Sequence, residues 1–254
     1  MPTNENLRRK WIDAGYKSDM GSAISCLPPD DPKKIRLYNL THSGYALKNL
    51  KNSQIKISTF HDLNDPFELL AANFKERKNR KLFRDWKDTT SKKIGILCFS
   101  ADWSEPLMWS HYADKHKGIC LGFDVSREIV EEVEYKSDRL LVELEKDIDP
   151  SHLDAELQQK LLRTKSSSWS YEKEYRSFIE LDKSTTNEHL YFQKFNNSIR
   201  LTEVILGPLC EVPIETVRKL TSEMYPGVTV FQARLAFGSF KVVPQAQSVP
   251  KVDC

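Results

Sequence analysis

The amino-acid sequence predicts an α+β fold, in which a mixed, largely antiparallel and split sheet has helices inserted between its strands. Short apolar runs of β-type composition alternate along the chain with segments of helical periodicity. The nine glycines are scattered and form no phosphate-binding loop, which argues against a doubly wound dinucleotide-binding fold. With 254 residues, of which 39% are hydrophobic, the chain is long enough to bury one sizeable core.

Composition and charge predict a cytoplasmic protein. Lysine and arginine number 38 against 36 acidic residues, so no overall field attracts nucleic acid or an anionic membrane. The five cysteines include no Cys-x-x-Cys pair, and the first ten residues are polar, which indicates reduced thiols and no signal peptide. No apolar run approaches the roughly 18 to 20 residues needed to cross a bilayer. We therefore expect no membrane partner.

Three segments are expected along the chain. Residues 1–33 are an N-terminal extension that ends in a proline-rich linker. Residues 34–242 form a single α+β domain, and residues 243–254, with two further prolines, form a loose tail.

The first elements of the predicted domain are strand, helix and strand. The first strand lies at residues 35–40, and the helix at residues 45–51 has Thr41 or Ser43 as its N-cap. Alternating isoleucines predict a half-buried second strand at residues 54–58.

The motif Asn64-Asp65-Pro66 has two interpretations. Pro66 pushes Asp65 out of the helical region, so an amide and a carboxylate are presented in a set geometry. The same residues are also a common turn and helix start. The basic segment at residues 74–91 predicts a solvated helix, with a nucleic-acid-facing strip as the alternative.

In the middle of the chain, a strand at residues 94–100 precedes a helix at residues 107–113 with Pro106 in its first turn. Gly118 permits a close turn into an apolar strand at residues 119–123. The remaining predicted elements are strands at 130–135, 190–195, 201–207 and 228–231, a helical region at 140–162 broken near residue 150, and a helix at 213–223.

The segment from Trp169 to Ile179 concentrates charge. At a period of two, Glu172, Glu174 and Arg176 fall on one face of a strand. Such a face is either a salt-bridged sheet surface or part of a binding site, and both interpretations remain open.

The polar and aromatic residues near strand ends suggest glycosidic chemistry on a nucleotide. Aromatic rings stack on a base or on nicotinamide, a carboxylate holds a ribose hydroxyl and stabilises positive charge at a sugar carbon, and arginine binds phosphate. The six histidines show no convincing metal-ligand spacing, so no metal is expected. The candidate residues are Tyr38, His42, Asn64, Asp65, Ser100, Trp109, His111, Tyr112, Glu172, Glu174 and Arg176.

Five ordered motifs between residues 35 and 240 resemble those of the prokaryotic domain of unknown function family 2971. They are Leu37-Tyr38, Asn64-Asp65-Pro66-Phe67-Glu68, the run from Met108 to Asp114 with Lys117-Gly118-Ile119-Cys120, the run from Trp169 to Arg176, and Leu206-Gly207-Pro208.

The order of these motifs is also similar to that of ADP-ribosyltransferase-like proteins. This resemblance implies an ADP-ribosyltransferase-like fold with NAD as its substrate. Tyr38 or His42 would take the first-strand role, Ser100 the middle-strand role, and Glu172 or Glu174 the role of the late glutamate.

The resemblance therefore implies an NAD-dependent effector that transfers ADP-ribose to a protein or nucleic-acid acceptor or hydrolyses NAD, in a toxin or phage-defence setting. Glu174 would stabilise the transition state, with Glu172 and His111 as further catalytic candidates. Trp109 and Tyr38 would pack on nicotinamide, Arg176 would lie near the phosphates, and the other binding residues would be His42, Asn64, Asp65, Ser100 and Tyr112.

Three alternatives remain. One is a non-catalytic nucleic-acid or partner-binding effector that uses the basic helix. Another is a metal-dependent nuclease with Asp65, Glu68, His111 and Glu174 at its site. In the third, the aromatic and charged motifs are purely architectural.

Overall fold

The computed structural model describes residues 28–68, 71–73, 77–141, 155–181, 186–187, 190–245 and 248. Most of the predicted N-terminal extension, residues 1–27, thus lies outside the described residues. The chain divides into two compact units. Among the described residues, those within 1–53, 100–127 and 195–254 form the first unit, and those within 54–99 and 128–194 form the second.

Fifteen strands and five α-helices lie within the described residues. The strands are β1 (Lys34–Thr41), β2 (Gln54–Ile57), β3 (Ala72–Asn73), β4 (Ile94–Ser100), β5 (Ile119–Ser126), β6 (Glu131–Glu132), β7 (Glu134–Lys136), β8 (Leu140–Leu141), β9 (Thr164–Ser166), β10 (Glu174–Glu180), β11 (Thr186–Asn187), β12 (Leu190–Lys194), β13 (Ile199–Leu206), β14 (Thr229–Leu235) and β15 (Val242–Pro244). The helices are α1 (Ser43–Asn52), α2 (Arg77–Ser91), α3 (Pro106–Tyr112), α4 (Ala155–Arg163) and α5 (Ile214–Met224).

In the first unit, five strands form a sheet in the order β15-β14-β13-β5-β1. Strand β5 pairs antiparallel with both β1 and β13, whereas β13 and β14 are parallel. Strand β5 is buried from Ile119 to Val125, because it has a strand on each side and carries mostly apolar side chains. The predicted mixed and largely antiparallel α+β architecture is therefore confirmed.

The start of α1 differs from the prediction. Its N-cap is His42, whose Nδ1 accepts a hydrogen bond of 3.0 Å from the backbone N–H of Gly44. The predicted caps Thr41 and Ser43 are wrong: Thr41 belongs to β1 and Ser43 is already helical. Histidine is not among the preferred capping residues, so no sequence pattern predicts this cap.

The hairpin of β14 and β15 closes the sheet at one edge. Val242 and Val243 are buried, so part of the predicted tail is strand. The loop between the two strands exposes Phe237 and Phe240 by 87% and 98%.

The second unit contains β4, β10 and β6 as neighbouring strands, and a separate sheet of β11, β12 and β2. Its core gathers Phe83 and Trp86 of α2, Ile96 of β4 and Leu161 of α4. Helix α2 is thus solvated on its basic face only, and its aromatic residues are not available to a nucleic acid.

Two predicted elements of the second unit are different in the structure. The single strand predicted at residues 130–135 is divided into β6 and β7 by Val133, which is buried and whose N–H donates to the carbonyl of Glu174. The helical region predicted at residues 140–162 begins as β8 and ends as α4, and residues 142–154 lie outside the described residues. Among the helices that the structure describes, none has the length and apolarity needed to cross a membrane.

Candidate active site

The predicted site residues divide between the two units. Tyr38, His42, Ser100, Trp109, His111 and Tyr112 lie in the first unit, and Asn64, Asp65, Glu172, Glu174 and Arg176 lie in the second.

Tyr38 and Ser100 are brought together as directly opposite residues of β1 and β4. Both are buried. The Ser100 hydroxyl donates to the carbonyl of Asp102 at 2.9 Å and accepts from the Asp102 N–H at 3.0 Å, so it stabilises the turn after the strand. The tyrosine hydroxyl hydrogen-bonds with Glu203 of β13, a residue that the sequence analysis did not identify.

Glu203 is a buried carboxyl group in the first unit. Burial raises its pKa to about 7, although the charge of Arg36 and the bond to Tyr38 oppose the rise. Nη1 of Arg36 donates to Glu203 at 2.5 Å, and Nε donates to Asp124 at 2.6 Å. Gly122 makes room for this group, because an added Cβ would lie 2.9 Å from the Cβ of Glu203.

Trp109 is completely buried, and its indole N–H donates to the carbonyl of Trp103 at 2.6 Å. Its ring therefore packs in the core of the first unit and presents no face to a ligand in this structure.

Four ring-bearing or acidic residues at the start of α1 and around the end of α3 are exposed, namely His42, Tyr45, His111 and Asp114. Nε2 of His42 lies 3.4 Å from Oδ2 of Asp114, and both side chains are about half exposed. The His42 ring also packs at 5.5 Å from that of Tyr45. His111 is exposed and its ring lies 6.2 Å from that of Tyr112, so these predicted residues are accessible to a ligand.

The turn after α3 holds three consecutive non-glycine residues at positive φ. Residues 114–116 have φ values of 45°, 52° and 71°, a conformation that costs roughly 1–2 kcal/mol per residue. Three backbone hydrogen bonds hold the turn, and they run from the N–H groups of His116, Lys117 and Gly118 to the carbonyls of Trp109, Asp114 and Ala113, respectively. The turn places Nε2 of His116 at 3.0 Å from the hydroxyl of Ser110.

In the second unit, the Asn64-Asp65-Pro66 motif forms a turn. Oδ1 of Asp65 accepts a hydrogen bond of 2.9 Å from the N–H of Phe67, whereas Asn64 is exposed. The N–H of Glu68 donates to the carbonyl of Asp65, and the Glu68 side chain is buried. The motif thereby places Glu68 in contact with Arg176.

Arg176 is completely buried, and its five N–H groups all have acceptors. Nη1 and Nη2 donate to the two oxygens of Glu68, at 2.5 and 3.1 Å. Nε and Nη2 donate to Glu174 at 2.9 and 3.0 Å, and Nη1 also donates to the carbonyl of Leu162 at 2.8 Å. This guanidinium has no donor left for a phosphate, so it positions the two glutamates.

Lys165 joins Glu172 and Glu174. Its Nζ donates to Glu172 at 2.5 Å and to Glu174 at 3.0 Å. Burial opposes ionisation of Glu174, but the charges of Arg176 and Lys165 outweigh it and hold its pKa at about 2. Burial likewise opposes the charge of Lys165, and the surrounding carboxylates raise its pKa above the usual value. Glu174 is thus a carboxylate at neutral pH.

Aromatic side chains that are only partly buried contact this charged cluster. Nζ of Lys165 lies 5.1 Å from the centre of the Trp169 ring, and that ring lies 6.1 Å from Tyr171. The hydroxyl of Tyr135 accepts from the N–H of Glu174 at 2.8 Å, and burial raises the pKa of Tyr135 to about 12. We call Lys165, Glu172, Glu174, Trp169 and Tyr171 the acid–aromatic cluster.

The local chain explains how the cluster is built. A 3₁₀ helix spans Ser167–Glu172 and is capped by the hydroxyl of Ser166, and Lys173 then turns the chain at φ 45° into β10. The predicted strand face is confirmed for Glu174 and Arg176, which are both buried in β10 and contact each other, but it is wrong for Glu172, which lies in the 3₁₀ helix. Glu172 precedes the strand and reaches Glu174 through Lys165.

Two members of this arrangement were missed by the sequence analysis. Lys165 lies between the polar residues Thr164 and Ser166, and Tyr135 lies between charged residues, so neither has an apolar neighbour that would indicate burial. Within the described ranges, no group of three histidine, cysteine or acidic side chains is placed to hold a metal ion. Two of the residues proposed as metal ligands in the nuclease alternative, Glu68 and Glu174, form ion pairs with Arg176.

Comparison with known proteins gives one match. Residues 108–177 match the family described as a protein of unknown function, DUF2971, which confirms the resemblance over the segment from α3 to β10. No curated protein and no solved structure matches the chain.

Proposed function

We propose that the acid–aromatic cluster is the active site of an ADP-ribosyltransferase-like enzyme that cleaves the bond between nicotinamide and ribose in NAD. The observation that carries the proposal is the joint binding of Glu172 and Glu174 by Lys165, next to the partly exposed ring of Trp169. The released ADP-ribosyl group would pass to an acceptor or to water. A toxin or phage-defence setting belongs to the same proposal.

The chemistry requires a negative charge next to the sugar. When the glycosidic bond breaks, its electron pair moves to the ring nitrogen and neutralises the pyridinium, and the ribose carbon becomes cationic. The attacking water or acceptor then bonds to that carbon and loses its proton to bulk water. Glu174 suits the stabilising role because Arg176 and Lys165 keep it ionised before substrate arrives.

The roles of the aromatic residues follow from exposure. Trp169 and Tyr171 are partly exposed, so they replace the buried Trp109 and Tyr38 as the surface on which nicotinamide stacks. Because Arg176 positions Glu174, the phosphates of NAD would bind to other residues.

The experiment compares NAD consumption and nicotinamide release by the full chain with those of three variants, with and without nucleic acid and protein acceptors. Glu174→Gln removes the charge, and we expect turnover to fall at least about 100-fold. Glu180→Gln changes an exposed glutamate of the same strand and serves as the matched control. Trp169→Leu, at a partly exposed position, should raise KM without unfolding the protein.

Thermal unfolding of each variant separates loss of chemistry from loss of fold. Turnover that survives in folded Glu174→Gln rejects the catalytic role of this residue, and wild-type protein that neither binds nor consumes NAD rejects the proposal. In the latter case, salt-dependent binding of nucleic acid would favour the effector alternative through the basic face of α2, where Arg77, Arg80, Lys81 and Arg84 are exposed.

A further inference from the structure

A pocket in the first unit lies outside the proposed active site. Its volume is about 420 Å³, within the range of small-molecule sites. Residues from the end of β12 through β13 and from the segment between α5 and β14 line it. None of the predicted site residues belongs to the lining.

Two aromatic rings form a fixed part of the lining. The rings of Phe195 and Tyr225 lie 6.0 Å apart, and Phe195 packs edge-on against Phe123 at 5.2 Å. The Tyr225 hydroxyl hydrogen-bonds to the carbonyl of Leu50 and lies 2.8 Å from the Ser53 hydroxyl. Because these contacts immobilise the rings, a planar ligand would stack on them without a large loss of side-chain entropy.

Arg200 supplies a positive charge at the same pocket. Its Nη2 donates to the buried carboxylate of Asp124 at 2.9 Å, while the Arg200 side chain remains 62% exposed. Among the residues that the structure describes, its Nε and Nη1 have no acceptor, so one edge of the guanidinium is available to an anion.

The backbone around the pocket leaves space for a ligand. A bulge at Thr202 interrupts the pairing of β13 with β5, and its hydroxyl donates to the Gly122 carbonyl at 3.1 Å. Gly227, at φ 86°, has no atom within 4 Å of the position where a Cβ would lie. Asn196 and Ser53 add an amide and a hydroxyl group to the wall; Oδ1 of Asn196 accepts from the N–H groups of Ser198 and Ile199, and the Ser53 hydroxyl bonds to Tyr225.

We propose that this pocket binds a nucleoside monophosphate, with the base stacked on the Phe195 and Tyr225 rings and the phosphate on Arg200. The flat base matches the aromatic rings, the polar sugar matches the hydrogen-bonding groups of the wall, and the phosphate matches Arg200. The pocket is independent of the acid–aromatic cluster, so the two proposals succeed or fail separately.

The experiment is calorimetric titration of the full chain with AMP, adenosine and ribose 5-phosphate. We expect AMP to bind more tightly than either part of the molecule. Arg200→Gln should weaken AMP binding about tenfold or more, because a charge-assisted hydrogen bond is lost. Lys117→Gln, which removes an exposed cation elsewhere in the first unit, should leave it unchanged.

Three results would overturn the proposal. The first is the absence of AMP binding at millimolar concentration, and the second is equal affinity for AMP and ribose 5-phosphate. The third is AMP binding that Trp169→Leu abolishes and Arg200→Gln does not affect, because such binding would belong to the second unit.

Discussion

The carboxyl group of Glu203 changes its charge near neutral pH although its residue is only 2% exposed. Its folded-state pKa, about 7, lies above the usual value of 4.5 for a glutamate in an unfolded chain. As pH rises from 4.5 to about 7, Glu203 loses its proton in the unfolded chain before it does so in the folded protein. The stability that Glu203 contributes is therefore fully present below pH 4.5 and is lost as pH rises through about 7.

We expect this group to lower the free energy of unfolding at pH 8 relative to pH 5, by up to ~3 kcal/mol. Glu203→Gln should remove most of that difference, and urea unfolding at both pH values measures it. Arg36, Asp124 and Tyr38 face the carboxyl group and are unchanged in the variant. Glu215→Gln, at an exposed site, should keep the wild-type difference. An identical pH difference in Glu203→Gln would contradict the assignment.

The positions of individual residues were predicted well where the two-residue period of a strand shows which of them share a face. Glu174 and Arg176 are two residues apart in a strand, so their common face follows from strand geometry alone. Lys165 and Glu203 were missed, because a charged residue between polar or apolar neighbours is ordinarily a solvated one. Their burial depends on partners supplied by other segments of the chain, which no local pattern reveals.

At the scale of elements, the strained turn after α3 depends on close backbone contacts at Gly118. A Cβ on this residue would lie 2.2 Å from the carbonyl oxygen of Thr41 and 2.8 Å from the Cα of Ala113. Backbone atoms, unlike the ends of long side chains, have little freedom to move aside.

Gly118→Ala should therefore destabilise the protein by about 3 kcal/mol, as measured by urea unfolding. Gly44→Ala is the matched control, because its nearest neighbour would be 3.4 Å away and belongs to the His42 side chain. Equal unfolding free energies for the two variants would show that the turn yields and that the contact at Gly118 is not restrictive.

Strands and helices with a clear hydrophobic period were predicted close to their observed bounds. The apolar strand predicted at residues 119–123 is the core of β5, and the helix predicted at residues 213–223 is α5 displaced by one residue. The division of β6 from β7 at Val133 was not predictable, because the backbone bond that separates them goes to Glu174 of a distant segment.

For the whole molecule, the largest predicted loss of stability comes from Arg176, which joins the Glu68 turn, the end of α4 and β10. Arg176→Lys keeps the charge but provides three donors in place of five, and leaves buried carboxylate oxygens unpaired. We expect a loss of about 3–5 kcal/mol in the free energy of unfolding.

Hydrogen exchange should show the lost protection in β10 and β9 of the second unit. Arg163→Lys is the control, because its ion pairs with Glu131 and Glu134 are partly exposed and are expected to contribute less than ~1 kcal/mol. A change in Arg176→Lys no larger than in this control would show that the buried ion pairs are not important for stability.

Local sequence patterns do not indicate the division of the chain into two units. The sequence predicts a single α+β domain at residues 34–242; in the structure, the first compact unit uses three separate segments of the chain and the second uses two. No change of composition marks the crossings near residues 53, 99, 127 and 194, because each falls between ordinary strands, helices and turns.

The position of β5 has a consequence for the synthesis of the protein. This mostly apolar strand can pair with β1 early, but its other partner, β13, is translated only after the whole second unit. At about 5–20 residues per second, one edge of β5 stays open for several seconds on the ribosome. An open apolar edge is a site where another chain adds as a strand. We therefore expect chaperone supply and translation speed, more than final stability, to set the yield of soluble protein.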